Sequence, residues 1–301
     1  MTKHNAYTIA LIQLALDGTG NENLEKCRHW VRKAAAEKAN VICLPELCGS
    51  SYFCQSENPH HFDLAEPVDG PSFQTFGPLA RELGVVIIVP FFERRAAGLY
   101  HNSACVIDAD GTKAGFYRKT HIPDDPCYYE KFYFTPGDAG FCACGTAFGK
   151  IGVLICWDQW FPEAARITAL KGAEVLFYPT AIGWHPHEKA ACGERQHDAW
   201  ETVQRGHAIA NGLYVAAANR VGLERPFQDA PGLEFWGSSF IAGPQGEILA
   251  RASRDREEMI LAEVDTAHLE DVRRNWPFFR DRRIDAYGDI LKRSIDEGEK
   301  S

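Results

Sequence analysis

Apolar and polar positions along this chain repeat with two periods. Short apolar runs of strand length, rich in β-branched residues, occur at 8–14, 41–44, 85–89, 151–155, 175–178, 213–218 and 259–264. Between them, apolar residues return at helical spacing. Leu24, Cys27, Val31 and Ala34 predict a helix capped by Asn21 or Asn23, and Phe73, Phe76, Leu79 or Ala80, and Leu83 predict another stopped by Gly84. Pro162 to Lys171 reads as a helix ended by Gly172, and Trp200, Val203, His207 and Ala210 give a later helix an apolar face closed at Asn211-Gly212. Asn102 to Asp108 and Thr112 to Arg118 predict a hairpin around Asp110-Gly111. Ser238 to Ala242 and Glu247 to Ala250 predict a second, around Gly243-Pro244-Gln245-Gly246, which is turn chemistry and not a phosphate loop. The stretch after Pro123 through residue 138 and the polar segment from Gly183 to Gly193 read as loops.

Strands alternating with helices, interrupted by hairpins, predict a layered α/β fold with mixed sheets. No short-period repeat, low-complexity linker or composition break divides the chain. A single domain over residues 1–301, ending in a basic tail, is the simpler reading.

Composition narrows the function. Hydrophobic content of 45% and aromatic content of 12% suffice for a sizeable core. A net charge of −9 argues against a nucleic-acid or anionic-membrane surface. No apolar run approaches bilayer-spanning length. Met1-Thr2-Lys3-His4-Asn5 leads straight into a strand-like segment without the apolar core of a signal peptide. Ten cysteines without such a leader predict free thiols in a reducing, cytoplasmic setting.

The chemistry gathers at three strand ends. Glu46 follows Leu44-Pro45, Lys119 follows the strand ending at Arg118, and Cys156 follows the run Ile151 to Ile155. In α/β sheets, sites lie beyond the carboxyl ends of strands. Pro162 suits a first helical position, so Cys156 is placed at a sharp turn near a helix amino end, where backbone N–H groups favour a thiolate and an oxyanion. Taken singly, Cys156 reads as a small buried hydrophobe, Glu46 as a solvated loop residue, and Lys119 as a surface partner of Asp124 or Asp125. Taken together they make a coherent device. A thiol attacks a carbonyl or nitrile carbon, a carboxylate moves the protons, and an ammonium stabilises the oxyanion.

Leu44-Pro45-Glu46, Tyr117-Arg118-Lys119-Thr120-His121 and Cys156-Trp157-Asp158-Gln159-Trp160-Phe161-Pro162-Glu163 resemble the Glu-Lys-Cys signatures of the nitrilase superfamily, and the likeness runs over nearly the whole chain. Tyr129 to Phe134, Phe177 to Gly183 and Trp236 to Pro244 resemble its N-carbamoylputrescine amidase branch. The resemblance implies a four-layer αββα sandwich with mixed sheets, paired across a helical face in a homo-oligomer, with the carboxyl-terminal tail packing on a neighbouring subunit. It implies Cys156 as nucleophile, Glu46 as general base, Lys119 as oxyanion-stabilising cation and Glu130 as a second glutamate that positions substrate and Lys119. It also implies an oxyanion donor at the Trp157 backbone N–H. Tyr52, Trp157, Thr180, Ala181 and Glu188 are the substrate-binding candidates. No metal or organic cofactor belongs to this chemistry; His60-His61, His185-Pro186-His187 and Cys142-Ala143-Cys144 lack the spacing of a ligand set. His121 and His207 are expected to hydrogen-bond around the pocket and not to act as bases.

The implied substrate is a small linear ureido or amide compound. A terminal ammonium calls for an acidic partner, and Glu188 is the first candidate, with Asp124, Asp125 and Glu194 as alternatives. A β-ureidopropionase substrate ends instead in a carboxylate and needs arginine or a helix amino terminus. Aliphatic amidase and nitrilase activities remain further alternatives, as does a nitrilase-like interaction protein without chemistry.

Overall fold

The computed structural model describes residues 6–295; the amino-terminal run read above as lacking a leader, at 1–5, lies outside the described residues, as do 296–301. The first half of the chain runs β1 (Ala6–Gln13), α1 (Gly20–Ala36), β2 (Val41–Cys43), α2 (Pro71–Leu83), β3 (Val86–Ala96), β4 (Leu99–Ile107), β5 (Lys113–Arg118) and α3 (Glu130–Tyr133). The second half begins β6 (Ala143–Gly145), β7 (Lys150–Val153), α4 (Pro162–Leu170), β8 (Val175–Pro179), β9 (Gly183–Trp184) and α5 (Lys189–Asn211). It ends β10 (Tyr214–Ala218), β11 (Val221–Glu224), β12 (Leu233–Trp236), β13 (Phe240–Ala242), β14 (Ile248–Arg251), β15 (Glu258–Asp265) and α6 (Thr266–Asn275).

Two six-stranded sheets form the centre, in the orders β15-β1-β2-β3-β4-β5 and β14-β13-β10-β8-β7-β6. Each is mixed. β1, β2 and β3 run parallel, as do β7, β8 and β10, and the flanking strands pair antiparallel. The alternating side chains of β1 show how the layers stack. Ile9 and Leu11 join the cluster that includes Val153, Val175 and Phe177 of the second sheet, whereas Ala10 and Ile12 join Val31 of α1 and Phe76 of α2. A sheet buried on both faces reads as a continuous apolar run, which is why period 2 is faint in the sequence. α4 and α5 cover the outer face of the second sheet through Ala164, Ala165, Trp200 and Ala208. The result is an α/β sandwich with helices outside and sheets inside.

Three local features differ from the sequence reading. α1 is capped by Thr19, whose hydroxyl accepts from the Glu22 N–H while Glu22 reaches back to the Thr19 N–H. Asn23 is instead buried, donating to the carbonyls of Leu16 and Gly18. β3 continues well past Val89 into a hairpin with β4, turning at Gly98 (φ +75°). The segment read as loop at 183–193 contains β9 and the first turn of α5; β9 pairs with β12, and β12 with β11, in a small third sheet. Beyond α6 the chain carries Ile284, Ile290 and Leu291 as exposed apolar side chains.

Candidate active site

The sequence around Cys156 folds as a strained elbow. β7 ends at Val153, and a single 3-10 turn, Cys156–Trp160, separates it from α4, which opens at Pro162. Cys156 has φ +43°, a left-handed conformation that typically costs a non-glycine residue about 1–3 kcal/mol. Asp158 holds it there. One oxygen of this buried carboxylate accepts from the Ile155 N–H at 2.9 Å and the Tyr117 hydroxyl at 2.7 Å. The other accepts from the His121 N–H at 3.0 Å and its ring Nδ1 at 2.7 Å. The His121 ring stacks on Phe161 with centroids 3.7 Å apart. Asp158 thereby ties the cysteine turn to the segment that begins at Lys119.

The charged trio lies beneath the elbow. Lys119 Nζ donates to Glu46 Oε1 at 2.9 Å and to Glu130 Oε2 at 2.6 Å, and all three side chains are buried. Asn102 donates to Glu46 Oε1 at 2.7 Å, and the Tyr52 hydroxyl donates to Glu130 Oε1 at 2.7 Å. Glu46 Oε2 is buried with no hydrogen-bond partner among the described residues. Lys119 therefore pairs with neither Asp124 nor Asp125. Burial opposes its charge, but Glu130 and Glu46 overcome that and hold the ammonium well above its ordinary range. Burial pushes the Glu130 carboxyl up to about 7, against the pull of Lys119.

The thiol corrects one expectation. Burial first, then Glu46, push Cys156 well above the ordinary thiol range, and the opposing pull of Lys119 is weaker. The resting group is a neutral thiol, not a thiolate preformed by a helix dipole; its Sγ donates to the Ala181 carbonyl at 3.8 Å. Nucleophilicity must then come from proton transfer to a neighbouring base.

Glu46 is placed from behind. The fully buried Arg220 donates to the carbonyls of Glu46, Leu47 and Ser50 and pairs with Glu224 at 2.8 Å. Glu224 in turn accepts from the Tyr52 N–H. Neither Asp158 nor Arg220 was singled out from the sequence. Asp158 stands at the third position after Ile155, the spacing of a reciprocal cap, and Arg220 is a lone charge between two apolar runs; both are signals of a buried polar anchor.

A cavity of about 710 Å³ opens over the thiol, within the usual range for small-molecule sites. Cys156, Glu130, Trp157, Ala181 and Glu188 line it, and Asp125 and Arg195 add charge at its wall. Tyr52 and Thr180 are not on the lining: Tyr52 acts through Glu130, and the buried Thr180 hydroxyl donates to Tyr178 O at 2.9 Å. Asp124 is exposed and off the lining, and Glu194 pairs outside with Arg254. His207 meets the Tyr178 hydroxyl at 3.0 Å, away from the cavity lining, and burial pulls it down to about 4. Among the described residues no group of three or more His, Cys, Asp or Glu side chains is arranged to hold a metal ion, and no helix is long and apolar enough to cross a membrane.

A thiol facing a cavity, with a partnerless carboxylate oxygen and a buried ammonium below it on an α/β sandwich, defines a hydrolase of carbon–nitrogen bonds other than peptide bonds. The comparisons agree. The carbon-nitrogen hydrolase family model matches residues 8–274. The chain belongs to the carbon-nitrogen hydrolase family, within the nitrilase superfamily. It is 46% identical to the N-carbamoylputrescine amidase of Solanum tuberosum over 292 residues, covering 96% of each chain. It is 44% identical to the citrullinase of Francisella tularensis over 286 residues, covering 95% of this chain and 98% of that one. The crystal structure of a carbon-nitrogen hydrolase from Helicobacter pylori superposes with TM-score 0.93 at 52% identity, over 96% of this chain and 100% of that one.

Proposed function

We propose that the protein hydrolyses N-carbamoylputrescine to putrescine, carbon dioxide and ammonia, with Cys156 as nucleophile. The observation that carries the chemistry is Glu46 Oε2, a buried carboxylate oxygen without a donor beside a thiol that needs a base. Glu46 takes the proton of Cys156 as the sulfur attacks the ureido carbon. Lys119, with the Trp157 backbone N–H, stabilises the oxyanion. One such donor is typically worth about 3 kcal/mol, and a ureido carbonyl needs it because both nitrogens donate into the carbon. Glu46 returns the proton to the departing alkylamine, leaving a carbamoyl thioester on Cys156. Water activated by Glu46 releases carbamate, which decomposes. Glu130 shares Lys119 with Glu46 and so keeps the ammonium fixed between two carboxylates.

The substrate assignment is supported by full-length likeness to N-carbamoylputrescine amidases and by the acids Glu188 and Asp125 on the cavity lining, which suit a terminal ammonium. The exposed apolar side chains of the tail support an assembly with further copies of the chain. The test is ammonia and amine release by purified protein from N-carbamoylputrescine and from N-carbamoyl-β-alanine. Putrescine formation is expected from the first. Turnover of N-carbamoyl-β-alanine alone would reassign the protein to carboxylate-ended substrates, and turnover of neither would remove the ureido reading.

A further inference from the structure

We propose that Cys142 and Cys144 form a redox site: a peroxide oxidises the pair to a disulfide, and closure of that bond slackens the turn at Cys156 and lowers turnover. Reduction by a small thiol reverses both changes.

The pair sits at an edge of the second sheet. β6 is the last strand of that sheet, three residues long, and its neighbour there is β7. The Cys144 sulfur lies against Gly115 of β5, in the space a side chain there would fill; an added Cβ at Gly115 would overlap it. Packing therefore accounts for Cys144, which is buried. It does not account for Cys142, which is only half-buried yet holds its sulfur 3.8 Å from that of Cys144. Cys142 Sγ also donates to the Phe116 carbonyl at 3.5 Å. The two thiols are unlike. A hydrogen bond from Cys144 holds Cys142 below the ordinary thiol range, with help from the Lys171 charge and against the effect of burial. The same hydrogen bond, then burial, push Cys144 well above that range. Cys142 is the sulfur that meets an oxidant, and Cys144 is the one that resolves the product.

The chemistry needs nothing beyond the peroxide. The Cys142 thiolate attacks a peroxide oxygen: an S–O bond forms, the O–O bond breaks, and the hydroxide released takes up the proton the thiol gave off, as water. Cys144 then attacks the sulfenic sulfur: an S–S bond forms, the S–O bond breaks, and the second oxygen leaves as water with the Cys144 proton. Both sulfurs are oxidised and the peroxide is reduced. The sulfurs must close from 3.8 Å to about 2 Å. Extended backbone sets Cα atoms two residues apart at about 6.6 Å, near the upper limit for a disulfide, so the chain has to shorten at Ala143. Ala143 pairs with Gly152 of β7, and that pairing gives way. Phe141, next to Cys142, moves with it. Its ring stacks on Tyr117 and His121 at 6.4 and 6.5 Å between centroids. Those two side chains bond Asp158, which holds the Cys156 turn. A disulfide ring closed over one intervening residue is strained, and strained disulfides are readily reduced, which makes the change reversible.

The test treats the full-length protein with hydrogen peroxide, then alkylates the remaining thiols. Two quantities are read: ammonia release from N-carbamoylputrescine, and the mass of the tryptic peptide 132–150, whose cysteines are Cys142 and Cys144. In the parent the peptide should lack two hydrogen atoms and carry no alkyl group, and kcat should fall at least about tenfold, with dithiothreitol restoring both. Cys142→Ser should start within about twofold of the parent and lose no activity that dithiothreitol restores. Cys144→Ala should keep a Cys142 sulfenic acid that dimedone captures, since its resolving thiol is gone. Two alkylated cysteines in the treated parent peptide would overturn the proposal. A disulfide formed with kcat unchanged would overturn its link to the Cys156 turn. An equal and reversible loss of activity in Cys142→Ser would place the oxidation at Cys156 and overturn it as well.

Discussion

Replacing Asp158 with asparagine probes how the nucleophile turn is held. The change keeps the size of the side chain and removes one acceptor oxygen. Each oxygen now accepts from a backbone N–H, of His121 on one side and Ile155 on the other, at 3.0 and 2.9 Å. Neither N–H can turn round, so the new amide NH2 confronts a donor in either orientation. The Tyr117 hydroxyl can rotate to accept, but the charge assistance of every bond to the group is gone. Losing about two charge-assisted bonds, at about 1.5–3 kcal/mol each, sums to about 3–6 kcal/mol. Domain stability of about 5–15 kcal/mol absorbs that, so the variant should fold. Its thermal midpoint should drop by about 5–15 °C. The φ +43° of Cys156 is then no longer enforced. Misplacing the sulfur by about 1 Å should lower kcat by about 100-fold, with a smaller change in KM. Melting by circular dichroism and steady-state ammonia release measure the two effects. An Asn variant that melts with the parent and keeps its kcat would refute the claim that this carboxylate sets the turn.

Two further outcomes follow from the same structure. Glu130 loses its proton as pH rises through about 7; below that, Lys119 loses one of the two carboxylates that hold it in place. The profile of kcat/KM should therefore fall on the acid side of pH 7, and Glu130→Gln should be slower throughout and lack that limb; an unshifted limb in the variant would assign it elsewhere. Gly152 lies on β7 where an added Cβ would meet Thr168 Cγ2 at 2.3 Å, so Gly152→Ala should destabilise by about 1–3 kcal/mol, read from urea midpoints, and no change would mean the β7–α4 contact is loose.

The strand ends were legible because an apolar run that stops abruptly at a polar or reactive residue marks where a buried strand leaves its sheet. Leu44-Pro45-Glu46 and Ile151 to Cys156 both show this break. Convergence was not legible: β2 and β5 belong to one sheet and β7 to the other, and only packing the two sheets brings Glu46, Lys119 and Cys156 to one floor. Glu130 was reachable only through family likeness, since its helix, Glu130–Tyr133, is a short element inside what reads as loop. The start of α5 was hidden for a different reason. Its first turns divide between the cavity and the surface, so no apolar stripe forms, and Gly193 looks like a breaker. In the fold, an added Cβ at Gly193 would lie 2.9 Å from Trp184 Nε1, which donates to the Gly193 carbonyl; the glycine permits a close approach. Thr180 is a substrate-binding candidate only through the resemblance; it lies off the cavity lining, and its hydroxyl turns to the Tyr178 carbonyl and the Gln159 side chain.

The account depends most on the sulfur of Cys156 forming the bond to carbon. Its most direct test is ammonia release from N-carbamoylputrescine by Cys156→Ala, with the melting temperature measured on the same sample. A loss of at least about 1,000-fold with the fold retained is predicted. Turnover within about tenfold of the parent, in a sample that melts normally, would contradict it, since no other group takes over a nucleophile at so small a penalty.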